Sequence, residues 1–295
     1  MMSIVSLKPP NGNCCCPVPL TVLLLSYVSD PRTKSWPLAG RPHNGLVILV
    51  IYALFVLKWG PQWMKNRPPY NVDKLMIIHN VIQVIACSYI FYEFLTYAWL
   101  WDYKWICEPV DFSDSPKALN VASAVYHYYL TKYLDLLDTI FFVLRKKSNQ
   151  VSFLHVFHHF NMVVVSWGCI TYYPGGHGTL VGVINSFVHV VMYSYYLLTV
   201  VDPATKKSVW WKKHLTQLQI VCDFVYLLIY YCTYPWWISI VLLPSDFFLL
   251  CLFVDFYVRT YIKKSKADVH NAREENANHN YISIESRTFY RKITI

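Results

Sequence analysis

Seven long apolar segments constrain this chain more than any other feature of its sequence. They lie at about residues 43–60, 75–99, 119–144, 151–173, 179–200, 215–235 and 236–262. A helix needs about 20 predominantly apolar residues to cross the hydrocarbon core of a bilayer. Pro235 separates the last two segments, so the connection between them must be tight. We therefore predict an all-α integral membrane protein with seven transmembrane helices.

The composition agrees with a chain that is embedded in a membrane. Of the 295 residues, 55% are hydrophobic and only 15% are charged, whereas about a quarter of the residues in soluble domains are charged. The 24 tyrosines and 11 tryptophans fit the aromatic anchors that collect at membrane interfaces. This composition excludes a folded soluble domain of any size.

Basic residues predict the orientation of the chain, because lysine and arginine favour short loops on the cytoplasmic side. They follow the first, third and fifth apolar segments, whereas residues 101–117 are acidic on balance. The basic residues of these three loops are Lys58, Lys65, Arg67, Lys74, Arg145, Lys146, Lys147, Lys206, Lys207, Lys212 and Lys213. We predict a lumenal head at 1–42, a transmembrane domain at 43–262 and a polar cytoplasmic tail at 263–295. Cys107 and Cys232 would then share the lumenal side, where a disulfide is chemically allowed.

Ionisable residues within transmembrane segments are costly, and each is by default a candidate functional residue. The third segment carries Lys132, Asp135 and Asp138 at successive i,i+3 steps, which place them on one face of a helix. The fourth carries His155 and, one turn later, the adjacent pair His158 and His159 on a similar face.

The fifth and sixth segments add further polar groups at helical spacing. These groups are Asn185, His189, Tyr193, Tyr196, Thr216 and Gln219. A single polar residue of this kind is usually an interhelical hydrogen-bond partner. Because four consecutive segments each carry such a face, we expect the faces to converge on one site.

Three classes of protein could explain this collection of polar residues. Desolvated, neutral imidazole can act as a nucleophile or a base, for example toward a thioester. Imidazole also binds iron, and membrane di-iron desaturases and hydroxylases carry HxxHH motifs. Here only one HxxHH is present, and His79, His127 and His189 stand alone, so the number of ligands falls short for two metals. A non-enzymatic receptor or transporter is the third class.

Four motifs resemble those of the elongases of very long chain fatty acids. They are KYLDLLDT at 132–139, LHVFHH at 154–159, NSFVHVVMYSYY at 185–196 and TQLQIVC at 216–222. The resemblance covers about residues 29–265 and rests on the order, spacing and membrane context of all four motifs. Two positions depart from the family pattern: Asp135 replaces the usual glutamate, and Cys222 replaces the final glutamine.

The resemblance implies a 3-oxoacyl-CoA synthase of the endoplasmic reticulum membrane. Such an enzyme joins a long-chain acyl-CoA to malonyl-CoA, releases CO2 and CoA, and needs no cofactor or metal. In the family fold, spans 2–7 surround a closed-ended acyl tunnel. The candidate protein partners are the reductases and the dehydratase of the elongation cycle and a second copy of the chain, and no nucleic-acid partner is expected.

The resemblance also assigns roles to residues. His158 would be the nucleophile that forms an acyl-imidazole, and His189 would position or activate the malonyl unit. His155, His159, Asp138 and Asn185 would orient these rings. The expected substrate-binding residues are Lys132, Asp135, Tyr193, Tyr196, Thr216, Gln219 and, for the phosphates of CoA, Arg145, Lys146, Lys147, Lys212 and Lys213.

Overall fold

The computed structural model describes residues 29–202, 204–205, 208–229 and 236–263. Every regular element in this part of the chain is helical. The helices are α1 (Pro42–Leu54, continued by a π-helical turn at Phe55–Trp59 and by Gly60–Met64), α2 (Asp73–Phe94, with a π-helical turn at Leu95–Trp99), α3 (Pro116–Leu144), α4 (Phe153–Tyr172), α5 (Thr179–Val201), α6 (Val209–Ile229) and α7 (Trp236–Tyr257, with a π-helical turn at Val258–Lys263). A short 3-10 turn at Ser148–Gln150 precedes α4.

Four of the described helical segments are long and apolar enough to cross a membrane. They are Pro42–Met64, Asp73–Trp99, Phe153–Tyr172 and Thr179–Val201. Helix α3 is longer, at 29 residues, but its charged face lowers its hydropathy. The prediction of a helical integral membrane protein is confirmed at this level.

One predicted boundary was wrong. Helix α6 begins at Val209, six residues before the predicted segment at 215–235, so Lys212 and Lys213 lie on the helix and not in the preceding loop. Long basic side chains can lie along an apolar surface while their charged ends reach water. Lys212 and Lys213 therefore do not prevent α6 from beginning before the apolar segment.

Two serine caps fix where the central helices begin. The Ser115 hydroxyl accepts a hydrogen bond from the Ala118 amide at 3.2 Å, and Pro116 occupies the first helical turn of α3. The Ser152 hydroxyl accepts from the His155 amide at 3.2 Å. Such caps satisfy amide groups that a helix leaves unbonded at its amino end. The second cap sets the start of α4 directly before its three histidines.

Helices α2 and α5 approach closely because a glycine lies at their contact. A methyl group at Gly182 would collide with the Phe94 ring, which packs against this position. Trp99 is buried beside them, and its indole N–H donates to the Thr179 hydroxyl at 3.0 Å. The contact holds the carboxyl end of α2 against the amino end of α5.

The connections at this end of the helices are bound to one another. Gly176, in the left-handed region with a φ of +65°, donates its amide to the Tyr103 hydroxyl at 3.3 Å. The next amide, of His177, donates to the Glu108 carbonyl at 2.8 Å. Cys107 in the same connection is disulfide-bonded. Its predicted partner, Cys232, lies outside the described residues, so that pairing stays a prediction.

The segment before α1 crosses the carboxyl end of α4. The Asp30 amide donates to the Thr171 carbonyl at 2.7 Å. Arg32 bonds the Asp30 carboxylate and donates to the Asp111 and Ser113 carbonyls at 3.0 and 2.6 Å. Hydrogen bonding to Asp30 raises the pKa of Arg32. One guanidinium therefore connects the entry to α1 with the connection before α3.

We predict that Arg32→Met destabilises the fold. Its side chain is almost fully buried, and removing one partner of a buried ion pair costs about 3 kcal/mol. Chemical unfolding in detergent micelles would measure the loss. Lys34→Met, at an exposed position nearby, is the matched control. Equal unfolding free energies for the two variants would contradict the assigned role.

Candidate functional site

Asp135 is the centre of the buried polar network between α2, α3 and α5. Its carboxylate accepts hydrogen bonds from the Gln83 amide at 2.7 Å, the Tyr193 hydroxyl at 3.0 Å and the Lys132 ammonium at 3.3 Å. The side chains of Lys132 and Asp135 are 2% and 4% exposed. A charged pair at this depth is stable only when such partners surround it.

Asp138 belongs to the same network. One of its oxygens accepts from the Tyr193 hydroxyl at 2.7 Å, and the other lies 3.1 Å from the His79 ring nitrogen. Tyr193 therefore bridges the two carboxylates. Asp138 contacts His79, whereas His155 of the α4 motif is contacted by Thr139 and Phe142 of α3.

Asn185 is held by two groups from α3. Its side-chain oxygen accepts from the Lys132 ammonium at 2.9 Å and from the Tyr128 hydroxyl at 3.0 Å. The Lys132 ammonium also lies 4.3 Å from the centre of the Tyr128 ring, within the range of a cation–π contact. Because the side-chain oxygen of Asn185 accepts two hydrogen bonds, the orientation of its amide group is fixed.

The three histidines of α4 differ in their surroundings. The His155 ring nitrogen lies 3.1 Å from the Thr139 hydroxyl, which in turn contacts the Tyr52 hydroxyl at 2.9 Å. The ring centres of His155 and His159 are 4.3 Å apart, and those of His158 and His159 are 5.5 Å apart. The predicted cluster of imidazoles is therefore formed.

His189 lies beside this network on α5. Its Nδ1 is 3.8 Å from the Asp135 carboxylate, which is too long for a hydrogen bond. This nitrogen makes no hydrogen bond within the described part of the chain, and its ring packs edge-on against Tyr193 at 5.6 Å.

An elongated cavity of about 320 Å³ lies beside the histidines. His158 and Asn185 line it, and it continues along α4 to Tyr172 and the connection at 173–178. Its walls are mostly apolar and include Phe94, Val125 and Leu249. The His158 imidazole and the Asn185 amide group therefore line one long space that fits an apolar chain.

The other predicted binding residues occupy three places. Tyr196 packs edge-on against Tyr193 at 5.9 Å. Thr216 and Gln219 lie between α5 and α6, where the Gln219 amide is 3.6 Å from the Met192 sulfur. The basic candidates stand at helix ends, with Arg145, Lys146 and Lys147 after α3 and with Lys212 and Lys213 in the first turns of α6.

Arg145 and Lys146 contact other parts of the protein. Arg145 lies 3.3 Å from the Asp73 carboxylate, and Lys146 donates to the Lys65 carbonyl at 3.2 Å. Their charges are therefore partly used to join the ends of the helices.

Sequence analysis missed the contribution of α2. His79 and Gln83 both enter the network. Glu93 lies 2.8 Å from the His127 ring nitrogen. His127 therefore pairs with Glu93 and does not belong to the cluster of the other histidines. The i,i+4 spacing of His79 and Gln83 within an apolar segment was the signal that could have identified them.

These features define a multi-pass helical membrane protein with a mostly apolar cavity that His158 lines. The sequence profile of the GNS1/SUR4 family, abbreviated ELO, matches residues 37–269. The chain belongs to this family.

Named relatives agree with the family match. The chain is 39% identical over 253 residues to very long chain fatty acid elongase 7 of Drosophila melanogaster, covering 83% of this chain and 77% of the relative. It is 46% identical over 193 residues to elongase 1 of Mus musculus, covering 65% and 69% of the two chains. Human elongase 4 is 39% identical over 246 residues, covering 81% and 78%. The predicted resemblance is confirmed.

The family and these relatives give the di-iron alternative no support. Within the described residues, no three or more histidine, cysteine, aspartate or glutamate side chains are grouped so that they could hold a metal ion. The three imidazoles of α4 lie close together but gain no carboxylate from α3.

We predict strong energetic coupling between Lys132 and Asp135. Lys132→Met or Asp135→Leu alone leaves an uncompensated buried charge and should destabilise the protein by about 3 kcal/mol. The double variant should lose clearly less than the sum of the two, which unfolding titrations of all four proteins in micelles would measure. The exposed pair Asp255 and Arg259 is the control and should show almost no coupling. Additive losses at 132 and 135 would contradict the network.

Proposed function

We propose that this chain is a condensing enzyme of fatty acid elongation, a very-long-chain 3-oxoacyl-CoA synthase. It joins a long-chain acyl-CoA to malonyl-CoA and yields CO2, CoA and a 3-oxoacyl-CoA that is two carbons longer. The observation that carries this proposal is the position of His158, a ring among clustered imidazoles that lines a long apolar cavity. The names of the relatives agree with it.

The cavity is the proposed acyl tunnel, surrounded by α2–α7 of a seven-span bundle. Its far end is lined by Tyr173, Gly175 and Gly178. The hydrogen bonds of Gly176 and His177 to the connection before α3 hold this end in place. A fixed end of this kind supports a closed tunnel.

The first proposed step transfers the acyl group to His158. A nitrogen of the neutral ring attacks the thioester carbon, the carbon–sulfur bond breaks, and CoA leaves with the proton that the ring gives up. The product is an acyl-imidazole, which the apolar walls of the cavity protect from water.

The second step forms the carbon–carbon bond. Malonyl-CoA loses CO2, and the electron pair of the broken bond attacks the acyl carbon. The carbon–nitrogen bond then breaks, and the departing ring nitrogen takes up one proton from solvent. This step restores the neutral imidazole and releases 3-oxoacyl-CoA. His189 positions the malonyl unit in this proposal.

Asn185 is the proposed donor to the negative oxygen that forms in both steps. Because Lys132 and Tyr128 occupy its oxygen, its N–H groups are the part that can donate into the cavity. A fixed donor of this kind stabilises developing charge without reorganisation during the reaction. His155, His159 and Asp138 hold the surrounding rings and helices.

The basic ends of α3 and α6 form the proposed site for the phosphates of CoA. Lys147, Lys212 and Lys213 supplement Arg145 and Lys146, since cations bind phosphates through charge-assisted hydrogen bonds. This placement requires the cavity to open toward the cytoplasm, with a lumenal head at 1–42, a transmembrane domain at 43–262 and a cytoplasmic tail at 263–295. The endoplasmic reticulum is the proposed membrane, and the reductases and dehydratase of the elongation cycle are the proposed partners.

We predict that acyl-CoA alone leaves an acyl mass on the peptide that contains His158. Mass spectrometry of the digested protein and the release of CoA without malonyl-CoA would measure the first step. His158→Ala should abolish both signals, because the attacking nitrogen is removed.

His214→Ala is the control, since His214 lies on the exposed surface of α6 with its ring bonded to the Trp210 carbonyl. It should form the adduct at the normal rate. An adduct of undiminished yield in a folded His158→Ala protein would require a different nucleophile.

A further inference from the structure

The connection between α1 and α2 is attached to the end of α3 by two hydrogen bonds. The Tyr70 amide donates to the Leu144 carbonyl at 3.0 Å. The Lys146 ammonium donates to the Lys65 carbonyl at 3.2 Å. Because these bonds lie toward the two ends of the connection, they hold the backbone that carries its side chains.

Two aromatic rings and a guanidinium group pack together on this connection. Trp63, in the last turn of α1, stacks against Tyr70 with their ring centres 5.7 Å apart. The Arg67 guanidinium lies 4.2 Å from the centre of the Trp63 ring, within the range of a cation–π contact. We call Trp63, Lys65, Arg67 and Tyr70 the interfacial cluster. Its four side chains are exposed, and tryptophan and tyrosine at the end of a membrane helix are typical of the membrane–water interface.

The two cations of the interfacial cluster are not neutralised by acidic residues nearby in the sequence. Asp73 is the only acidic residue at 55–80 and 139–152, and its carboxylate lies 3.3 Å from Arg145. Within the described residues, Lys65 and Arg67 form no ion pair with a carboxylate, whereas Arg145 does. The interfacial cluster therefore keeps two uncompensated positive charges at the end of a membrane helix.

The helix that ends at the interfacial cluster also exposes an apolar face. Leu46, Val50, Leu54 and Leu57 follow one another at steps of three or four residues, and all four are exposed. This spacing places them on one face of α1, which lipid chains can cover because they are as apolar as leucine. A ligand that fits both the cluster and this face has a negatively charged head and apolar chains.

We propose that the interfacial cluster binds the headgroup of an anionic phospholipid, whose acyl chains lie along the exposed face of α1. Lys65 and Arg67 bind the phosphate through charge-assisted hydrogen bonds. Basic residues grouped directly beside a membrane helix are typical of sites for such lipids. A choline headgroup fits less well, because Arg67 already supplies the cation that contacts the Trp63 ring. No residue of the cluster belongs to the proposed site for CoA, so this inference does not rest on the proposed function.

The test compares how tightly the purified full chain binds dioleoylphosphatidylserine and dioleoylphosphatidylcholine. Native mass spectrometry in detergent micelles, over a range of lipid concentrations, gives an apparent dissociation constant for the first lipid bound. We expect the serine lipid to bind about twentyfold more tightly, because each of two cations beside an anionic lipid contributes a factor of about five. Equal affinities for the two lipids would overturn the inference, and this result needs no variant.

A double variant locates the preference. Lys65→Gln with Arg67→Gln removes both charges of the cluster and should bring the ratio of the two affinities close to one. Lys34→Gln with Lys104→Gln is the matched control, because it removes two exposed cations at the opposite ends of α1 and α2 and changes the net charge equally. The control should keep the preference. An equal loss in both double variants would show that net charge alone sets the preference, and would overturn the assignment to the cluster.

Two soluble competitors separate a lipid site from a site for free phosphate groups. Glycerophosphoserine carries the same headgroup without acyl chains and should not displace the bound serine lipid at equal concentration. CoA should not displace it either. Displacement by glycerophosphoserine would identify a site for soluble anions, and displacement by CoA would merge the cluster with the proposed CoA site, so each result would overturn the inference. None of these measurements requires condensation, and a failure of the proposed function would therefore leave the lipid site in place.

Discussion

The burial of Lys132 and Asp135 on α3 is the constraint on which the site depends. A charged pair in the interior of a membrane protein cannot face lipid, so α3 must direct this face toward helices that supply partners. Gln83 from α2 and Tyr193 and Asn185 from α5 supply them. The requirement to satisfy one carboxylate and one ammonium therefore fixes which faces of three helices meet.

The same arrangement directs the histidines of α4. His155 and His159 are four residues apart, and their rings meet edge-on on one side of the helix, where Thr139 of α3 contacts His155. His158 precedes His159 by one residue, which turns its side chain by about 100° around the axis of a helix with 3.6 residues per turn. It is thereby directed toward the cavity and not toward α3. The HxxHH spacing thus separates the ring of His155, which contacts α3, from the ring of His158, which faces the space for a ligand.

The sequence predicted the helices and the convergence of their polar faces, because apolar length and helical spacing are local properties of the chain. Lys132, Asp135, Asn185 and Tyr193 meet as their spacing indicated. His79 was noted only as an isolated histidine and Gln83 was given no role, because the high average hydropathy of α2 is typical of an ordinary apolar span. The polar residues that line the cavity could not be predicted, since Asn161 and Asp223 belong to helices far apart in sequence and only packing brings them to one cavity.

The surroundings also support imidazole, and not a thiol, as the proposed nucleophile. Cys169 and Cys222 line the same cavity as His158, and cysteine is intrinsically the stronger nucleophile. However, the reactive form of cysteine is the thiolate, and an isolated anion is costly to hold in an apolar space. The reactive form of histidine is the neutral ring, which needs no charge before it attacks. In the proposed reaction a negative charge first develops on the thioester oxygen, to which the fixed amide of Asn185 can donate a hydrogen bond. Among the described residues that line the cavity, His158 is therefore the proposed nucleophile in spite of the two thiols.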